Sequence, residues 1–279
     1  MISLLRPKHW LKNTFVSLPL VLSGQFDNDS RIILAILVFC LASSAVYIFN
    51  DLRDAESDRK HEIKKKRPLA CRAVSQFTAV IFCISFALFA LIFDCFIFSS
   101  PLTISLLLAY FLLNCGYSLI LKDVPITDVL ILSCGFMLRM LYGTFIVGQG
   151  VPVILYLTIF SMSLYMSFGK RKNELSNYGE NAVFVRRVLK FYSKPVLDKS
   201  FRLFFVITNI LYIIWAAMMF MHGNGIFLLT VPLFFFICLR YNKITETAES
   251  ANPVDSLFSD KILLLMVISY VALVLAHTA

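Results

Sequence analysis

The sequence predicts an all-α polytopic membrane protein with about nine transmembrane helices, and three observations carry that expectation. Hydrophobic residues fill 59% of the 279 positions, well beyond the roughly 45–50% typical of soluble domains, and mean hydropathy is +0.79. They gather into runs, most of them close to the about 20 helical residues needed to cross ~30 Å of hydrocarbon. The 26 Lys and Arg fall almost wholly between alternate runs, the asymmetry that marks cytoplasmic loops.

The first run, 13–24, is short and comes after Arg6, Lys8 and Lys12. No small-x-small cleavage site succeeds it and further membrane helices do, so it reads as a first span with Trp10 at the interface and not as a signal peptide. Eight further runs cover 31–49, 73–93, 102–121, 126–147, 151–168, 203–221, 226–239 and 262–277. Alternating them across a bilayer puts three Lys/Arg of the N-terminus, eight of 51–72, Lys122, nine of 170–202 and three of 240–261 on one side. Only Arg31 lies opposite, and Arg139 is inside a span. The positive-inside rule makes the basic side cytoplasmic, as for a protein of a bacterial inner membrane. The net charge of +9 is thus a topology signal, and with no recognisable binding module nucleic acid is not an expected partner. Seven Cys form no C-x-x-C pair and read as small buried hydrophobes. A single transmembrane domain, 1–279, with cytoplasmic loops 51–72 and 169–202 is expected.

The outer connections, 99–101, 148–152 and 222–225, are only turns, so chemistry is expected on the inner face. There NDLRDAESDRKHEIKKKRPL, 50–69, places Asp51, Asp54 and Asp58 at i, i+3 and i+7, on one face of a helix. Three carboxylates repel one another unless a cation joins them, and Mg²⁺ takes carboxylate and substrate phosphate oxygens together. Seven of the ten residues after Asp58 are basic or His, including His61, Lys64 and Arg67, which adds charge for phosphates. A solvated positive-inside loop accounts for the basic run but not for the spaced acids.

A second candidate is YSLILKDVPITDVLIL, 117–132, with Tyr117, Lys122 and Asp128. Asp128 lies just inside a span, where a charge is a functional candidate by default, although a helix N-terminus with Pro125 in its first turn would also suit it. Arg139, eleven residues on, returns to nearly the same face about 16 Å deeper; substrate contact and a structural hydrogen bond both fit it. Gly135 and Gly143 flank it at four residues and allow close approach of a neighbouring helix. GKRKNEL, 169–175, offers Lys170 and Arg171 as phosphate contacts or, with Glu174, as surface pairs. Basic residues from Arg186 to Lys199 read as topology signals and anionic-lipid contacts.

The pattern N-D-x-x-D-x-x-x-D-R-x-H, with Asn50, Asp51, Asp54, Asp58, Arg59 and His61, resembles the first signature of the UbiA superfamily of intramembrane prenyltransferases. RPKHWLKN (6–13), the YS/LK/D element (Tyr117, Ser118, Lys122, Asp128), GFMLRMLYG (135–143), GKRKNEL and NPVDSLFSDKILLL (252–265) look most like its decaprenyl-phosphate phosphoribosyltransferase branch. The resemblance implies helices around a central cavity open to the cytoplasm and to lipid, and a Mg²⁺-bound diphosphate at Asp51, Asp54 and Asp58 with Asn50 in support. It assigns phosphate to Lys64, Arg67, Lys170 and Arg171, the rim to Lys12 and Asn13, and acceptor orientation or a second metal to Lys122, Asp128 and Tyr117. Glu62 stands where the branch commonly has Pro, and Asp123 and Asp128 are five apart, unlike the D-x-x-x-D pair of aromatic prenyltransferases.

The implied partners are phosphoribosyl diphosphate, a polyprenyl phosphate or diphosphate lipid, and the membrane itself. The expected reaction moves 5-phosphoribosyl from phosphoribosyl diphosphate to polyprenyl phosphate. The alternative moves a polyprenyl group from its diphosphate to an aromatic acceptor. A lipid or solute transporter is the third possibility, but transporter sites favour the bilayer midplane, where only Arg139 is charged.

Overall fold

The computed structural model describes residues 2–23, 29–59, 64–148, 150–247 and 252–276, and every regular element among them is helical. A short α1 (Ile2–Leu5) leads into a 3₁₀ stretch, Pro7–Ser17, and α2 (Leu18–Ser23). Next come α3 (Asp29–Arg59), α4 (Gln76–Phe98), α5 (Pro101–Leu119), α6 (Thr127–Val147), α7 (Val153–Tyr178), α8 (Ala182–Val185), α9 (Lys194–Met221), α10 (Ile226–Thr247), α11 (Pro253–Ser259) and α12 (Lys261–Leu275).

Seven of these, α3 to α7 with α9 and α10, are long and apolar enough to cross a membrane, and α11 with α12, bent by 102°, makes the number eight if the pair is one span. Nine is not reached among the described residues. The expected first span, 13–24, falls into the 3₁₀ stretch and a six-residue helix instead. Thr14 and Ser17 hydroxyls bond back to the carbonyls of Leu11 and Thr14 at 2.8 and 2.7 Å, and Pro19 brings no N–H, so the local chemistry disfavours one continuous α-helix. Elsewhere two helices continue past their apolar runs. The stretch expected as loop 51–72 is helical to Arg59, and α7 runs on through GKRKNEL to Tyr178. Helix starts obey their capping chemistry: the Ser75 hydroxyl accepts from Thr78 N at 3.0 Å, Pro101 occupies the first turn of α5, and Asp260 accepts from Leu263 N at 2.8 Å. Large side chains such as Phe77, Phe96 and Leu112 are more than 70% exposed, as lipid-facing residues are.

The chain forms two compact units. The first comprises Met1–Leu20, Asp27–Ile131 and Leu138–Gln149; the second comprises Val21–Phe26, Leu132–Met137 and Gly150–Ala279. At the core of the first, Ala35, Phe39, Ala42 and Val46 of α3 are buried with Leu107 and Tyr110 of α5 and Tyr142 of α6. Asp94, fully buried in α4, accepts hydrogen bonds from the Tyr142 and Thr103 hydroxyls and so joins three helices. The 3₁₀ stretch is laid along α3 by polar contacts, Trp10 Nε1 to Ser44 Oγ and Asn13 Nδ2 to Ser43 Oγ, both 3.0 Å. Arg139 donates from Nε to Asn13 Oδ1 and from Nη2 to Tyr110 OH, each at 2.9 Å.

Gly143 completes this anchor, because a Cβ there would stand 1.9 Å from the carbonyl oxygen of Val16. The close approach expected at Gly143 is therefore made by backbone of the 3₁₀ stretch. Gly143→Ala should force the two segments apart and cost about 1–3 kcal/mol, read as a lower thermal unfolding temperature in detergent with helix content retained.

In the second unit α7 packs against α9 and α10. Tyr165 stacks on Phe201 with centroids 4.8 Å apart, and its hydroxyl donates to the Cys238 carbonyl at 2.9 Å and bonds the Asn242 side chain. Gly169 permits the contact, since a Cβ would lie 2.7 Å from the Phe201 ring. The Arg240 guanidinium bonds both carboxylate oxygens of Asp260 and pins the bend between α11 and α12.

Candidate active site

The last turns of α3 carry the three aspartates, and the fold brings a cation to each. Arg6 Nη2 pairs with Asp51 Oδ1. Arg67 Nη1 lies 3.1 Å from the same oxygen and 2.7 Å from Asp58 Oδ2. Lys122 Nζ pairs with Asp54 Oδ1. Asn50 accepts from Ser118 Oγ at 3.2 Å. The end of one helix is thereby tied to the N-terminal segment, to the chain after the 3₁₀ turn Lys64–Lys66, and to the connection from α5 to α6.

The helical repeat explains the division of partners. Seven residues at about 100° each leave Asp58 about 20° from Asp51, whereas three leave Asp54 about 60° away. Asp51 and Asp58 therefore converge on one guanidinium while Asp54 turns to Lys122. Among the described residues no three or more His, Cys, Asp or Glu side chains gather as a metal cage. Two converging carboxylates suit Mg²⁺ well, since it takes one or two from protein and completes its sphere with water and phosphate.

Burial sharpens the site. Asp51 and Asp58 are only 2% and 4% exposed, so their charges depend on these cations. Arg6 holds a left-handed backbone, φ 51°, at the break before Pro7, and its guanidinium carbon stands 5.4 Å from the Tyr47 ring centre. Ile126 is also strained, at φ 68° and ψ −47°, immediately before α6. A β-branched residue there is a genuine outlier, and it sits where the chain turns from Lys122 to Asp128, which is fully buried in the first turn of α6.

The remaining expected site residues divide between this cluster, the anchor beneath it and the second unit. Lys64 and Tyr117 are half-buried near Arg67 and Ser118 in sequence, and Lys12 is half-buried in the 3₁₀ stretch. Asn13, expected at a rim, is fully buried; its partner Ser43 is seven residues, about 10 Å, before Asn50 along α3. Arg139, 5% exposed, belongs to that anchor. Lys170 and Arg171 lie in the second unit, where Arg171 is fully buried and pairs with Glu174 at 2.8 Å; Glu174 also meets Arg186 at 3.5 Å. His61, with Lys60 and Glu62, lies outside the described residues. Sequence reasoning missed Arg6 and Ser118 as members of the cluster. Both stand in motifs it singled out, but in sequence Arg6 reads only as topology charge.

Buried carboxylates and cations thus meet at the end of one apolar span of a helical membrane protein. The UbiA prenyltransferase family matches residues 13–266, and the chain belongs to that family; it is an integral membrane transferase. It is 28% identical to decaprenyl-phosphate phosphoribosyltransferase of Corynebacterium glutamicum over 97% of this chain and 84% of that one. It is 27% identical to the Mycobacterium tuberculosis protein of the same name over 99% and 93%. Its fold matches a UbiA homologue from Archaeoglobus fulgidus bound to GPP and Mg²⁺, with TM-score 0.73, 23% identity, and coverage of 99% of this chain and 96% of that one.

Proposed function

We propose that this transferase moves 5-phosphoribosyl from phosphoribosyl diphosphate to a polyprenyl phosphate at the cytoplasmic face of a bacterial inner membrane. The observation that carries the reading is the likeness to decaprenyl-phosphate phosphoribosyltransferases along nearly the whole chain. The family match runs through both compact units, which supports treating 1–279 as one transmembrane domain. The segregation of Lys and Arg supports the orientation.

In this reading the bond from the anomeric carbon to the diphosphate oxygen breaks, and the diphosphate leaves with both electrons. A phosphate oxygen of the lipid forms the new bond to that carbon. Being already anionic, the nucleophile gives up no proton, and no general base is required. Asp51 and Asp58 would hold Mg²⁺, with Asp54 and Asn50 in support. When bound, Mg²⁺ supplies charge that stabilises the departing diphosphate. Arg67 and Arg6, already directed at these carboxylates, and Lys64 would hold phosphate oxygens. Lys122 and Asp128, with Tyr117, would orient the acceptor. Asn13 and Arg139 would act as positioning residues, because their hydrogen bonds set the 3₁₀ stretch that carries Lys12 and directly follows Arg6.

The reading is tested by incubating purified protein with Mg²⁺, ribose-labelled phosphoribosyl diphosphate and polyprenyl phosphate, then extracting lipid. Label should enter the organic phase and be lost with chelator. Absence of label, with product formed instead from polyprenyl diphosphate and an aromatic acid, would replace this reading with prenyl transfer.

A further inference from the structure

We infer that the start of α9 is a headgroup site for an anionic phospholipid. A groove of about 540 Å³ is lined there by Lys194, Pro195, Asp198, Lys199 and Arg202. Its one acid is met from within the unit, since Lys172 Nζ lies 3.0 Å from Asp198 Oδ1. Lys194, Lys199 and Arg202 are exposed and leave the groove a surplus of positive charge.

The apolar face that continues down α9 points to a lipid instead of a free anion. Leu203, Val206, Ile210 and Ile213 are each 49–52% exposed, and they succeed Lys199 at steps of four, three, four and three residues, so they form one stripe down the same face. From Arg202 to Ile213 the helix rises about 16 Å, about half of the ~30 Å hydrocarbon core. A phosphate seated on Lys199 and Arg202 would lay its acyl chain along that stripe within one leaflet. Phe191, 58% exposed with Lys190 Nζ 4.6 Å from its ring centre, and Val196, 54% exposed, add apolar surface beside the groove, as expected at a headgroup boundary. Basic residues at such a surface attract anionic lipid by about fivefold each.

The test uses the full chain reconstituted with equal parts phosphatidylcholine and phosphatidylglycerol, and native mass spectrometry of the lipid it retains. Wild-type protein should keep one phosphatidylglycerol that Lys199→Gln/Arg202→Gln binds about 25-fold more weakly. Lys243→Gln/Lys261→Gln, which removes the same charge from exposed positions of the same unit, should keep it. These side chains are exposed, and unchanged helix content in all three proteins verifies folding. Equal retention by the groove variant, or equal loss in the control variant, would overturn the assignment. So would displacement of the phosphatidylglycerol by inorganic phosphate, which would make the groove a site for free anions, or by polyprenyl phosphate alone, which would make it a substrate subsite.

Discussion

Arg67→Gln is expected to abolish transfer and to lower stability together. Its guanidinium is the cation shared by Asp51 and Asp58, at 3.1 and 2.7 Å, and both carboxylates are nearly sealed from solvent. Removing one partner of a buried ion pair leaves an uncompensated charge at a cost of about 3–5 kcal/mol. The lower end applies here, because Arg67 is 27% exposed and Arg6 still meets Asp51. Turnover should fall by at least about 10³-fold, the scale for losing one well-placed donor to developing negative charge. Arg67→Lys should recover much of the stability and little of the activity, since an ammonium cannot reproduce the planar fork. Thermal unfolding and initial rates of the two variants separate these effects. Wild-type rates in Arg67→Gln would remove it from the site.

Asp58→Asn should have the opposite signature, a loss of transfer of at least about 10³-fold with little or no loss of stability. The amide keeps the shape of the carboxylate and still accepts from Arg67, but it no longer brings the charge that holds a divalent ion. It also leaves Arg67 with Asp51 as its remaining charged partner. Asp51→Asn should behave alike. Asp54→Asn, whose side chain turns toward Lys122, should lose less, which is a consequence of the helical repeat and distinguishes a two-carboxylate metal seat from a three-carboxylate one.

Much of this was legible because it depends on local chemistry. Apolar runs located the helices, and the i, i+7 spacing of Asp51 and Asp58 put them on one face. Gly143 marked a close approach. The contacts between distant segments were not legible. Arg6 meets a carboxylate 45 residues away, and Lys122 one 68 residues away, pairings that only the packing of α3 with the N-terminal stretch and the α5–α6 connection creates. Hydropathy also did not show the division of 13–23 into a 3₁₀ stretch and a six-residue helix, where Pro19 and back-bonding hydroxyls disfavour one continuous α-helix. Asn13 was expected at a rim together with Lys12; its burial comes with its bonds to Ser43 and Arg139, which hydropathy cannot pair.

Asp51 and Asp58 are proposed to seat a divalent ion together with a diphosphate. The most direct measurement is the electron paramagnetic resonance of Mn²⁺, used in place of Mg²⁺, with inorganic pyrophosphate and purified protein. Wild-type protein should give a bound-ion spectrum that strengthens with pyrophosphate, and Asp51→Asn and Asp58→Asn should lose it while retaining wild-type helix content. A bound spectrum that persists unchanged in both variants would contradict the account.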